Sequence, residues 1–191
     1  MRTVTMDENT VLIFFIIHIS GDVITLIADV TLTESLKVDE GKTIILDLNG
    51  HNITMDESLA ATGYAIENSG TLTLIDSGMD SGSVQSRGIL NNGTLYVENG
   101  TYNAVGDGSA IVNNGEAYLT GGTFTAESGY SLNNASGATM SIGSRMRRMF
   151  AGVVVDNGIY SNGDLLINGG EIYDNSGRNA ICVDGDNAAN S

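Results

Sequence analysis

The sequence predicts an all-β solenoid, about seven stacked coils of ~22 residues each, and three observations carry that prediction. One phrase is spoken four times, as Gly70-Thr71-Leu72-Thr73-Leu74-Ile75, Gly93-Thr94-Leu95-Tyr96-Val97, Gly115-Glu116-Ala117-Tyr118-Leu119 and Gly137-Ala138-Thr139-Met140-Ser141-Ile142. The opening glycines are 23, 22 and 22 residues apart. Each copy follows an Asn-bearing turn, at Asn68-Ser69, Asn91-Asn92, Asn113-Asn114 and Asn133-Asn134. No segment sustains a 3.6-residue apolar period, and glycine recurs every few residues, so helices are excluded.

Taken in order, residues 1–20 stand apart from residues 21–191, with no glycine before Gly21. Val11 to Ile19 is an apolar, β-branched and aromatic run suited to a strand. It is read either as a cap over the first coil or as a segment that docks on a partner, because such a run left uncovered invites aggregation. Its nine residues fall short of the ~20 that span a bilayer. Asp7 and Glu8 stand where a secretory signal needs basic residues. With Met1 as the true start, the expectation is a chain that is neither inserted in a membrane nor exported unaided.

From Gly21 the repeat begins loosely, with strands around Val23 to Leu26 and at Val30-Thr31-Leu32-Thr33. Gly41 to Thr54 holds a strand, the Asn49-Gly50 turn and a second strand. Residues 55–69 form a longer connection, which stretches the Gly41 to Gly70 interval to 29 residues. The four regular coils follow. Gly143 to Phe150 interrupts them, the phrase returns at Gly163-Asp164-Leu165-Leu166-Ile167, and Ala180-Ile181-Cys182-Val183 is the last strand before a polar tail.

Strands of three to five residues form no stable flat sheet alone, but stacked coils pair them in parallel at ~4.8 Å. The expected inward rows are Leu72, Leu95, Ala117 and Thr139, then Leu74, Val97, Leu119 and Ser141, then Ile66, Leu90, Val112 and Leu132. Asparagines at equivalent turns are expected to bond amide to amide along the axis.

The phrases LDLNGHNIT, GTLTLID, NNGTLYVENGTYN and NNGEAYLTGGTF resemble the right-handed parallel β-helix repeats of the pectate-lyase-like superfold. They are most similar to its non-enzymatic forms, in adhesin-like surface proteins of gut bacteria and in phage virion proteins. The resemblance covers roughly residues 21–183 and implies the fold but no one activity, since that superfold hosts lyases, hydrolases, adhesins and viral spikes.

The chemistry-bearing residues are sparse. A formal net charge of −15 argues against nucleic acid or an anionic membrane surface as partner. Cys182 is the one cysteine, so no intrachain disulfide forms. The resemblance implies, for a lyase, clustered carboxylates with a basic residue, and for a hydrolase, Asn-Thr-Asp, Asp-Asp and Gly-His-Gly; none of these strings occurs. His51 reads as a corner residue, and Asp76-Ser77-Gly78-Met79-Asp80 as a solvated turn rather than a Ca²⁺ loop. No cofactor and no metal is expected.

Arg145, Arg147 and Arg148 put three of the eight basic residues into four positions, beside Met146, Met149 and Phe150. This reads as a bulging loop or as a contact for an acidic partner. The docking expectation therefore rests on Val11, Leu12, Phe14, Phe15 and Ile17 together with Arg145, Arg147, Arg148, Met149 and Phe150. The expected function is non-catalytic: a phage virion component such as a capsid decoration, head fibre or tail protein. It would dock on the capsid or on sister subunits as a homo-oligomer, with a trimer as one form, and reach host glycans. An adhesin-like module of a bacterial surface or secreted protein is the alternative, and a polysaccharide lyase or hydrolase the second.

Overall fold

In the computed structural model, which describes residues 3–6, 21–143 and 152–184, the chain is a right-handed parallel β-helix with three sheets. Sheet A stacks Thr3–Met6, Asp22–Leu26, Thr43–Asp47, Thr71–Ile75, Thr94–Val97, Glu116–Leu119, Thr139–Ile142 and Asp164–Ile167. Sheet B stacks Val30–Leu32, Asn52–Met55, Ser83–Ser86, Thr101–Ala104, Gly122–Ala126, Val153–Asp156 and Glu171–Tyr173. Sheet C stacks Leu36–Val38, Ile66–Asn68, Ile89–Asn91, Ile111–Asn113, Leu132–Asn134, Ile159–Ser161 and Ile181–Val183. Every pairing is parallel and joins one coil to the next. Among the described residues no helix is long and apolar enough to cross a membrane.

The core is a set of side-chain columns running through the coils. In sheet A, Ile44, Leu72, Leu95, Ala117, Met140 and Leu165 fall in one column, and Ile24, Leu46, Leu74, Val97, Leu119, Ile142 and Ile167 in the next. Met140 and Ile142 thus replace the expected Thr139 and Ser141, which face outward. The turn before this strand takes two more residues than its neighbours. Ala138 N bonds Ala135 O at 3.1 Å, as Lys42 N bonds Asp39 O at 3.1 Å in an earlier coil. Gly137 is the left-handed residue inside that turn, at φ 79°, and not the counterpart of Gly115.

Sheet C corrects a second expectation. Its column runs Leu36, Ile66, Ile89, Ile111, Leu132, Ile159 and Ile181, so Leu90 and Val112 face outward. The reason lies in the turn asparagines, which face inward. Alternation then turns the residue two before each asparagine inward as well.

Those asparagines form a buried ladder. Asn68 Nδ2 donates to Asn91 Oδ1 at 2.7 Å, Asn91 to Asn113 at 2.7 Å and Asn113 to Asn134 at 2.8 Å. Asn134 ends the run by donating to Ser161 Oγ at 3.0 Å. The remaining amide proton reaches backbone carbonyls, as Asn91 Nδ2 does to Gly93 O and Glu116 O. A buried amide is tolerated only when satisfied in this way. The glycine after the ladder is there for space: a Cβ on Gly93 would lie 2.1 Å from Gly70 O, and one on Gly115 2.2 Å from Gly93 O.

Two further departures from the regular coil bear on the outer face and on the end of the described solenoid. Between Asn52–Met55 and Ile66–Asn68 the chain makes a short excursion, in which Asp56 O accepts Leu59 N and Ala60 N at 2.8 and 2.9 Å. The last coil is the other: its inward-row residues Ile181 and Val183 are 41% and 62% exposed.

Candidate recognition face

The excursion gives the solenoid a relief beside sheet B. Strand alternation turns Thr31, Thr54, Gln85, Asn103 and Thr125 outward in one row of sheet B, and Asn52, Ser83, Thr101 and Thr123 in a parallel row. From Asn52 to Thr125 these two rows hold hydroxyls and amides and no charge. Neighbouring coils cross-bond them: Ser83 Oγ donates to Asn52 Oδ1 at 2.7 Å, and Thr125 Oγ1 to Asn103 Oδ1 at 2.7 Å.

Residues 55–63 rise beside this face and enclose a groove of about 560 Å³. Thr31, Thr54, Met55 and Gln85 lie along sheet B, and Asp56, Glu57 and Ala60 belong to the excursion. The wall is braced from within, with Leu59 and Ala60 packed on the core. Asp56 Oδ1 accepts Ser58 Oγ at 2.6 Å and Ser58 N at 3.0 Å. These bonds favour the carboxylate, so Asp56 titrates below the ordinary aspartate range.

Other acidic residues serve the turns. Asp76 Oδ1 accepts Gly50 N and its Oδ2 accepts Gly82 N, each at 2.7 Å. Asp47 accepts Asn49 N and Ser77 N at 2.9 Å and Ser77 Oγ at 2.6 Å. The Asp76 to Asp80 segment is therefore a brace against the Asn49-Gly50 corner. His51 sits on the same corner, its Nδ1 3.6 Å from Asp29 Oδ1. Backbone and side-chain bonds from Asn52, joined by His51, hold the Asp29 carboxyl below its usual value. No group of three or more His, Cys, Asp or Glu among the described residues is placed to hold a metal ion.

None of the expected docking residues enters this picture. Val11, Leu12, Phe14, Phe15, Ile17, Arg145, Arg147, Arg148, Met149 and Phe150 lie outside the described residues. The groove was missed in the sequence, although one signal marked it: the 29-residue interval from Gly41 to Gly70, where regular coils take 22 or 23. Comparison with protein-family models, curated proteins and solved structures finds no match to this chain.

Proposed function

We propose that this chain is a non-catalytic attachment solenoid, a structural component of a phage virion that projects the sheet B face toward host glycans. The observation that carries the reading is the uncharged double row of hydroxyls and amides beside a groove. Sugars present hydroxyls, and fixed donors and acceptors repeating at the ~4.8 Å coil spacing suit them. The chemistry of the acids supports a non-enzymatic role. Among the described residues, each aspartate with a displaced pKa (Asp29, Asp56 and Asp174) is displaced downward, opposite to what a general acid needs. Docking through Val11 to Ile19 belongs to the same proposal.

A second reading, an adhesin-like module of a bacterial surface protein, is favoured by the last described coil. Its exposed Ile181 and Val183 offer a surface on which a neighbouring coil can stack. Both readings share the glycan face.

The test is a glycan-array screen of the full chain beside Gln85→Ala and Thr54→Arg, with product release from acidic polysaccharides assayed in parallel. The expected result is retention of a glycan class by the parent chain, loss of at least about tenfold in affinity in both variants at unchanged melting temperature, and no cleavage. Polysaccharide cleavage, or retention unaffected by both substitutions, overturns the proposal.

A further inference from the structure

Over six coils the outer face of sheet A carries a row that reads alike from either end, with Val23 extending it past Ile45 on one side. In coil order it runs Ile45, Thr73, Tyr96, Tyr118, Ser141 and Leu166. About the midpoint between the two tyrosines, aliphatic answers aliphatic, hydroxyl answers hydroxyl and ring answers ring. The two rings stack with centroids 5.1 Å apart, and Tyr96 and Leu166 are 40% and 46% exposed. An isologous contact sets each residue against the one at the mirrored coil of the other copy, and here every such pair is compatible, aliphatic on aliphatic and ring on ring.

The flanking residues extend the symmetry to charge. A two-fold axis along the strands, midway between the Tyr96 and Tyr118 coils, lays two copies face to face with their solenoids antiparallel. Residues in the row beside the tyrosines run Thr43, Thr71, Thr94, Glu116, Thr139 and Asp164. Under that axis Glu116 of one copy faces Thr94 of the other, and Asp164 faces Thr43. On the opposite flank Glu98 faces Thr120, which is paired with it in register through the Thr120 N to Val97 O bond. Each of these three carboxylates meets a hydroxyl, and no two of them meet each other. An axis through the Tyr96 coil would set Glu98 against its own copy, and one through the Tyr118 coil would do the same to Glu116; opposed carboxylates are costly.

We infer that sheet A is a self-association face, on which a second copy of this chain docks in antiparallel orientation about the Tyr96–Tyr118 pair. Six coils at ~4.8 Å and strands of about 15 Å give roughly 450 Å² of projected face per copy, the range of weak, reversible contacts. Tyrosine at the centre and acids at the flanks is the composition such a patch needs. The arrangement leaves both sheet B faces open, so a dimer would present two recognition surfaces on one particle.

The test is sedimentation of the full chain from about 10 μM to about 1 mM. The expected mass rises from 20.0 kDa toward twice that value with concentration. Thr94→Lys, which places a cation opposite Glu116 of the other copy, tightens association about fivefold, and Thr94→Glu weakens it at least as much. Thr73→Cys with Ser141→Cys, in a Cys182→Ala background, gives an oxidant-dependent crosslinked dimer, because these positions lie three coils apart within one chain and meet only across the axis. Circular dichroism of each variant confirms folding. A single-chain mass at every concentration for the parent and Thr94→Lys overturns the proposal, as does a dimer equally strong in Thr94→Glu. A monomer whose glycan retention is lost in Tyr118→Ala would make the tyrosine pair a ligand site instead and overturn it as well.

Discussion

Asn91 and Asn113 bond amide to amide across 2.7 Å at the centre of the solenoid, in consecutive coils 22 residues apart. Each is fully buried and satisfied on both its oxygen and its nitrogen. The ladder therefore fixes the coil register, because a slip of one residue would leave several buried amides without partners at once.

Replacing Asn113 by Ala breaks the ladder in the middle. It takes the donor from Asn134 Oδ1 and the acceptor from one Asn91 amide proton, and removes the bonds to Gly115 O and Thr139 O. The expected loss is about 2–4 kcal/mol. Asn114→Ala removes only the exposed rung to Asn92, 2.9 Å long, and should cost no more than about 0.5 kcal/mol. Urea melts of the two variants check the contrast; equal midpoints would refute the ladder's role.

Glycine substitutions separate crowding from backbone strain. Gly93→Ala puts a methyl 2.1 Å from Gly70 O and should destabilise by more than about 3 kcal/mol, since backbone must move. Gly137→Ala has open space, and at φ 79° meets only the left-handed penalty of about 1–2 kcal/mol. Thermal melting of both proteins decides the order.

Tyr102 and Phe124 stack in the core with ring centroids 5.2 Å apart, and the Tyr102 hydroxyl donates to Asn99 O at 2.8 Å. Burial, with Asp76 nearby, raises the Tyr102 phenol far above the usual tyrosine range, so it stays a donor at any working pH. Tyr102→Phe should cost about 1–2 kcal/mol and Phe124→Ala about 3–5 kcal/mol, both read as shifts in denaturant midpoint.

Acid should weaken the fold through Asp29, Asp56 and Asp174. Hydrogen bonds from Asn52, Ser58 and Ser176 lower each carboxyl below the ordinary aspartate value of 3.8. The unfolded chain then binds more protons than the folded one between the lowered values and 3.8. Their stabilising contribution is thus present above that window and lost as pH falls through it. Melting temperature should fall as pH drops below the ordinary aspartate value, less steeply in Asp29→Asn; an unchanged slope would exclude this site as a contributor.

The repeat was legible because cross-coil bonding demands the same side chain at the same place, and the asparagine ladder and the Gly93–Gly115 stack are such demands. Where a turn changed length the reading slipped. Gly137 looked like Gly115, yet it sits inside a longer turn, and this turned Met140 inward in place of Thr139. Leu90 reads as inward in the sequence, whereas Asn91 claims the inward position and hands the core to Ile89. The groove at residues 55–63 was visible only as additional length, since its walls are built from residues that carry no motif.

Each strand of the solenoid finds its partner about one coil away, whatever the total number of coils. Sequence separation between partners is then a constant of the design and does not grow with the protein. Coils can be added or deleted by duplication without asking distant parts of the chain to meet, so reach is freely adjustable by evolution. A longer descendant would extend farther from its base while folding by the same nearest-neighbour steps.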